Sequence, residues 1–368
     1  MKVTLVVLAF LILSVTAILN SPSFGSRPDQ QAKVSFEKSK QFNKEFGIFE
    51  NRRQSIIKEM KERNMSFKLI TEWFRDGDDR IPSAPLPEVR PNLKEFLSSS
   101  KDLKIIWFGH STFMLNMDGV IILVDPIFGK SAAPFDLLVN RFQPPVLSLE
   151  ELPKIDYILI SHDHYDHLDM TSTKFFSKKD IKFITPLGVG SHLKGWGIKE
   201  ENITERDWWE SVNFSGVEFI ATPSQHFSGR SLTNNNETLW ASWVLKSKEH
   251  SVYFSGDSGY DTHFKEIGEK YGPFDIAFLE SGQYSKNWRE VHMLPEEAAL
   301  AYNELRAKRY FPVHWGMFKL SFHAWRDPIE RLLTLSLKHD INLIVPMIGE
   351  IVNLSDEKDL ERWWESIP

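Results

Sequence analysis

The heptapeptide Ser161-His162-Asp163-His164-Tyr165-Asp166-His167 places three imidazoles and two carboxylates in one short run. Side chains alternate along an extended chain, so His162 and His164 share one side and aim at one spot. Asp166 and His167 follow, ahead of a helix expected from Met170 to Phe176, and can address a second spot close by. Polar groups at this density need partners wherever they are buried. The segment therefore offers ligands for two metal ions rather than one.

Three later segments repeat the pattern of a polar ligand type closing an apolar run. Thr222-Pro223-Ser224-Gln225-His226 follows the run that ends at Ala221. Phe254-Ser255-Gly256-Asp257-Ser258-Gly259 closes another, and its glycines permit the tight turn that would aim Asp257 inward. Phe311-Pro312-Val313-His314-Trp315-Gly316 closes a third. The chain contains no cysteine. Disulfides, thiol nucleophiles and thiolate metal sites are excluded, and any metal has to be held by nitrogen and oxygen.

Elements must bring these distant groups together. Ile155 to Ile160 has the length and branched, aromatic content of a buried strand, which sets the histidines at its carboxyl end, where α/β folds place their sites. Further strands are expected at Leu103 to Phe108, Thr112 to Met117, Val120 to Val124, Lys182 to Thr185, Val217 to Ala221, Ala241 to Leu245, Val252 to Ser255, Ile276 to Glu280 and Arg309 to Val313. Asp118-Gly119 reads as a hairpin turn. Helices are expected at Asp261 to Tyr271, Pro295 to Ala307 and Pro328 to His339; proline and two glutamates suit the start of the second. Hairpins followed by alternating strands and helices imply two sheets with helices outside.

With 368 residues, 42% hydrophobic and 26% charged, the chain has ample material for one large core plus an extension. A net charge of −6 and a pI near 6.1 argue against an enzyme that binds nucleic acid through a broad basic face. Val3 to Leu19 is apolar apart from Thr4, Ser14 and Thr16 and is just long enough to span a membrane. It reads as a signal peptide or an uncleaved anchor, the anchor being preferred, and with Lys2 on the cytoplasmic side the rest of the protein would be membrane-anchored or exported on the far side. Ser21 to Gln31 reads as a linker, and Val34 to Arg63 as a charged helical extension with Phe36, Phe42, Phe46, Phe49 and Ile56 at loose helical intervals. Ile70 to Phe74 could add a helical turn ended by Asp76-Gly77-Asp78-Asp79, and the prolines from Pro82 to Pro91 mark a connector.

The ordered set His162, His164, Asp166, His167, His226, Asp257 and His314 resembles the metallo-β-lactamase fold superfamily of binuclear metallohydrolases. Within it, Trp107-Phe108-Gly109-His110-Ser111-Thr112, Asp125-Pro126-Ile127-Phe128, Ser161 through Asp169, Asp207-Trp208-Trp209-Glu210, Thr222 through His226, Leu239-Trp240-Ala241-Ser242-Trp243, Gly272-Pro273-Phe274-Asp275 and His314-Trp315-Gly316 are similar to the N-acylphosphatidylethanolamine-hydrolysing phospholipases D. The resemblance covers roughly Pro91 to Gly349 and implies an αββα sandwich; together with the readings above, the chain divides into a signal segment at 1–20, a linker with helical extension at 21–90, the sandwich at 91–352 and a C-terminal helix at 353–368.

It also implies one ion on His162, His164 and His226, another on Asp166, His167 and His314, and Asp257 bridging them. Two Zn2+ ions are the expected cofactors, with iron or manganese open. A water between the ions would ionise near neutral pH and attack phosphorus, with Asp166 orienting it. The implied partner is a phospholipid or small phosphodiester; a lactone or other small ester is the alternative. Tyr165 and His292 are candidate substrate contacts, and His110 a candidate partner of a ligand. Leu294 departs from the Asp that the resemblance places before the Pro-Glu-Glu helix start. Most tryptophans belong to the core; Trp208-Trp209 and Trp363-Trp364 could leave a ring for an acyl groove.

Overall fold

The apolar runs that end in polar residues are strands of two mixed sheets in the computed structural model, which describes residues 21–64, 79–356 and 360–367. In chain order they are β1 (Phe42–Asn43), β2 (Ile48–Phe49), β3 (Lys104–Trp107), β4 (Phe113–Met117), β5 (Val120–Val124), β6 (Tyr157–Leu159), β7 (Lys182–Pro186), β8 (Ile203–Arg206), β9 (Ser211–Phe214), β10 (Val217–Thr222), β11 (Ser242–Lys246), β12 (Ser251–Phe254), β13 (Ile276–Glu280), β14 (Tyr310–Val313) and β15 (Ile351–Asn353). One sheet has seven strands in the order β15-β3-β4-β5-β6-β7-β8, the other six in the order β14-β13-β12-β11-β10-β9. The β4–β5 hairpin turns on Asp118 and Gly119, whose φ values of 54° and 87° match the primed turn that twisted strands favour. From β5 to β8 the first sheet is parallel, and from β12 to β14 the second is too.

Strands β3, β4, β5, β13 and β14 are buried at every residue, because each has cover on both faces. Between the sheets, Phe113 stacks on Phe278 with centroids 4.1 Å apart and meets Phe254 edge-on. Trp243 Nε1 donates across the gap to the Ile160 carbonyl at 3.0 Å. Helices Met170–Phe176, His263–Tyr271, Pro295–Leu305 and Asp327–His339 complete an αββα sandwich.

The N-terminal extension differs from the expected run of helix. A helix at Gln30–Phe36, capped by Asp29, is followed by the β1–β2 hairpin and a second helix at Ile56–Asn64. Asn43 shapes the hairpin turn: its side-chain oxygen accepts from the Glu45 and Phe46 amides at 3.0 and 3.2 Å, a local arrangement that competes with helical bonding. Phe36, Phe42 and Phe49 pack together at 5.1–5.7 Å, whereas Phe46 is exposed. At the other end, the described part of 353–368 holds a 3-10 turn at Trp363–Ser366 in place of a longer helix.

The membrane placement read from the first residues is corrected. Among the described residues no helix is long and apolar enough to cross a membrane, and no anchor is shown. The anchor at 1–20 and the turn at Ile70 to Phe74 lie outside the described residues.

Candidate metal centre

Every histidine and aspartate expected to hold a metal sits at the carboxyl end of a strand, on the edge where the sheets meet. His162, His164, Asp166 and His167 follow β6, His226 follows β10, Asp257 follows β12 and His314 follows β14. Gly256 makes the turn into Asp257 with φ 54°, and a Cβ there would come within 2.8 Å of Ser161 Cβ. Glycine is required both for the conformation and for the approach. His110, Asp125 and His314 also have positive φ, at 52°, 40° and 68°. These are uncommon in residues with a side chain and are held by the surrounding packing.

Among the described residues the structure gathers three overlapping groups whose ligand atoms lie within 4.8 Å of one another: His162, His164, His226 and Asp257; Asp166, His167 and His314 with His110; and Asp257 and His314 with Glu280 and His292. In the first, His162 Nε2 and His226 Nε2 approach His164 Nδ1 to 2.9 and 3.1 Å. In the second, Asp166 Oδ2 lies 3.1 Å from His314 Nε2 and 3.6 Å from His167 Nε2. Asp257 stands between them: its oxygens are 3.2 Å from His167 Nε2 and His314 Nε2, 3.7 Å from His226 Nε2 and 3.8 Å from His162 Nε2. His110 joins the second group, with Nε2 2.9 Å from Asp166 Oδ2.

On His226 and His167 the far ring nitrogen is hydrogen-bonded, and on His314 it faces a carboxylate, which decides how these three rings turn. His226 Nδ1 donates to the Val291 carbonyl at 3.0 Å, His167 Nδ1 meets Asp125 at 2.7 Å, and His314 Nδ1 lies 3.3 Å from Glu280. Each ring therefore turns Nε2 into the centre, the nitrogen that would face a cation once any proton on it is released. His167 Nε2 and Asp257 Oδ1 are buried without any hydrogen-bond partner. An all-nitrogen-and-oxygen donor set with converging lone pairs and orphaned buried atoms fits divalent metal ions.

Burial first, then crowding by neighbouring rings, holds His162 well below the usual imidazole range; burial also lowers His164 and His226. His167 and His314 go the other way. Burial opposes their protonation, but Asp257 and then Asp166 outweigh it, and both rings are raised well above 6.5. Asp166 and Asp257 are correspondingly held well below the usual carboxylate range, burial being overcome by His167 and the other rings. The two carboxylates are thus ionised, ready to meet positive charge.

A cavity of about 350 Å³ opens onto this cluster. His164, Asp166, Asp257, His292 and His314 form its polar floor, and Met60, Phe227, Trp288, Val291 and Leu320 line it with apolar surface. A larger cleft of about 550 Å³ beside β15 contains none of these residues. His292 lies at the cavity with its Nδ1 2.9 Å from Glu280. Tyr165 does not line it: its hydroxyl donates to the Arg230 carbonyl at 2.6 Å, and its ring lies under the Arg230 guanidinium. The expected acyl groove is corrected as well. Trp208, Trp363 and Trp364 are buried, Trp209 packs against Tyr271 and Lys270, and none of the four reaches the cavity.

The supporting roles of three carboxylates escaped the reading of the chain. Asp125, fully buried after β5, takes the Ser161 amide at 2.8 Å and Oγ at 2.6 Å besides His167. Glu280, fully buried at the end of β13, takes the Met293 amide at 2.6 Å. Both close an apolar run, the same signal that marks His226 and Asp257, so they could have been found. Asp163 turns away from the cavity to the Gly229 amide at 2.8 Å, Thr238 Oγ1 at 2.9 Å and His192 at 3.2 Å, which fixes the backbone between His162 and His164.

Comparison with known proteins follows this geometry. The profile described as Beta-lactamase superfamily domain matches residues 121–315. An uncharacterized protein of Mycobacterium tuberculosis is 40% identical over 288 residues, 77% of each chain. The N-acyl-phosphatidylethanolamine-hydrolyzing phospholipase D 1 of Caenorhabditis elegans is 32% identical over 299 residues, 76% of this chain and 83% of the worm protein. Among solved structures, Igni18, a metallo hydrolase from the archaeon Ignicoccus hospitalis, superposes with a TM-score of 0.53 at 23% identity, covering 70% of this chain and all (100%) of that one, a likeness of fold.

Proposed function

The chain belongs to the β-lactamase superfamily as a metal-dependent hydrolase, and from that premise we propose that it is a binuclear zinc phosphodiesterase acting on N-acylphosphatidylethanolamine or a related phospholipid. The observation that carries this reading is the pair of buried ligand groups with Asp257 between them, at the floor of a cavity whose wall is apolar. His162, His164 and His226 would hold one ion, Asp166, His167 and His314 the other, and Asp257 both, since a carboxylate has two oxygens and an imidazole one free lone pair. When bound, such a pair supplies Lewis acidity toward a phosphoryl oxygen and brings the pKa of water down to about 7.

The rest falls to the protein. All contacts of Asp166 fall on Oδ2, to His110 and the ligand rings, which leaves Oδ1 to accept a hydrogen bond from the attacking water and orient it. His292, held through Nδ1 by Glu280, turns its other edge to the cavity, where it can hydrogen-bond a phosphoryl oxygen. Met60, Phe227, Trp288 and Leu320 exclude water from the reacting centre and offer apolar contact to an acyl chain. No side chain is asked to act as nucleophile.

The worm relative's name supports the lipid class. The test is to load the protein with zinc and compare a long-chain N-acylphosphatidylethanolamine, a short soluble phosphodiester and a lactone, detecting phosphatidate from the first. Preference for the long-chain lipid is the expected result. Turnover of the lactone with neither phosphodiester cleaved would replace this reading with that of a small-ester hydrolase.

A further inference from the structure

The N-terminal extension lies outside the residues matched by the superfamily profile, 121–315, yet it grips the centre. Asn51, buried at the end of the β1–β2 hairpin, makes two bonds to one residue: its Nδ2 donates to the His226 carbonyl at 2.6 Å, and its Oδ1 accepts from the His226 amide at 3.0 Å. A primary amide that pairs with both backbone groups of one residue does the work of a neighbouring strand. His226 stands beyond the last sheet pair of β10, Thr222 with Ser242, so Asn51 replaces sheet pairing where the sheet has ended. The imidazole is tied on its far side by the Val291 carbonyl. Backbone and ring together then leave Nε2 one direction, toward His164.

The hairpin that delivers Asn51 is itself fixed. The Phe49 amide donates to Asn236 at 2.7 Å, the Glu50 amide to Gln41 at 2.9 Å, and Arg52 pairs with Glu266 at 2.5 Å. The same extension reaches the other histidine segment. The Ser23 carbonyl accepts from Arg230 Nε at 3.1 Å and Nη2 at 2.8 Å, while Arg230 Nη1 donates to the Asp163 and Leu168 carbonyls at 2.6 and 2.8 Å. Arg230 thus links Ser23 of the extension to the backbone carbonyls on either side of the 164–167 run.

We propose that Asn51 is a positioning residue for the metal centre, holding His226 so that the ion on His162, His164 and His226 binds tightly. The inference rests on the metal-site reading above. Partners that orient metal ligands are worth roughly 10–100-fold in affinity when removed. Since Asn51 touches one ligand of one group, its loss should weaken one ion and spare the other.

The experiment titrates metal-free wild type, Asn51→Ala and, as an exposed control in the same hairpin that touches neither His226 nor the hairpin's anchors, Lys44→Ala with zinc against a competing chelator. Cobalt-substituted samples give the visible spectrum, and each metal-free protein gives a thermal midpoint. Wild type should take two ions. Asn51→Ala should bind one of them about 10–100-fold more weakly, with an altered cobalt band, and Lys44→Ala should bind both like wild type. If Asn51→Ala does not fold, Asn51→Asp, which keeps only the acceptor, is read in its place. Equal weakening of both ions, or wild-type affinity with only a lowered midpoint, would overturn the inference and make Asn51 a structural residue. A wild type that takes up no metal overturns the reading of the site on which it rests.

Discussion

Four imidazole nitrogens surround the carboxylate of Asp257 at 3.2–3.8 Å, two from each ligand group. Replacing it by alanine removes the one group within reach of both sets and leaves His167 and His314 without the charge that raises them. Asp257→Ala should lose at least one ion per chain and roughly 100-fold or more of the hydrolytic rate; full turnover with two ions still bound would remove Asp257 from the bridging position. The raised pKa values of His167 and His314 also predict how metal uptake responds to pH. Below those values the metal-free rings carry protons that a cation must expel; above them the rings are neutral and offer lone pairs. Affinity should therefore climb with pH from 6 upward, by up to about tenfold per pH unit for each proton released, and then level off. Calorimetric titration in two buffers of different ionisation heat counts those protons, and a count of zero near pH 6.5 would contradict the proposed ligands. Asn51 and Arg230 belong to this scale too, but nothing local marks them. The bond from Asn51 to His226 joins positions 175 residues apart, and an asparagine in a charged stretch looks like any surface residue.

At the scale of elements, legibility followed burial. Strands β3 to β5, β13 and β14, buried along their whole length, read directly as apolar runs. Strands β8, β9 and β15 are partly exposed sheet-edge strands; β8 and β9 are hidden by their polar residues, and β15 by its length of three residues. Strand β8 carries a carboxylate with a consequence for stability. Glu205 accepts the Gly190 amide at 2.8 Å at the start of the helix Gly190–Gly195, and burial pushes its pKa from 4.5 up to about 7 despite that bond. The folded protein thus holds this proton more tightly than the unfolded chain does. The associated stability is complete below pH 4.5 and is lost as pH rises toward 7, by at most about 3 kcal/mol, less for the part that water screens. Glu205→Gln keeps an oxygen for the amide and carries no charge. Denaturation midpoints of the two proteins should diverge progressively between pH 4.5 and 7, with the glutamine variant relatively more stable at the higher end; parallel curves would show that Glu205 titrates as an exposed acid.

At the scale of the whole molecule, the centre joins two sheets that also meet through aromatic packing and a few hydrogen bonds, Trp243 to the Ile160 carbonyl among them. The ligands His162, His164, Asp166 and His167 hang from the seven-stranded sheet, His226, Asp257 and His314 from the six-stranded one, and Asn51 adds the extension. A cation bound by all of them exists only in the folded arrangement, so its binding energy is folding energy. At a free metal concentration a thousand times the dissociation constant, one ion adds about 4 kcal/mol, which for a chain of this size raises the thermal midpoint by several degrees, on the order of 5–10 °C. Without metal, the His167 and His314 imidazoliums beside Asp166 and Asp257 hold the edge together against the repulsion of the crowded lone pairs, a contribution lost as pH climbs through the rings' raised values. The gain from metal should therefore be larger at pH 8.5 than at pH 6. Scanning calorimetry of chelator-treated and zinc-loaded protein at both values reads this directly. Midpoints that do not separate on loading, or that separate more at pH 6, would mean that the seven ligands do not jointly clamp the two sheets around metal.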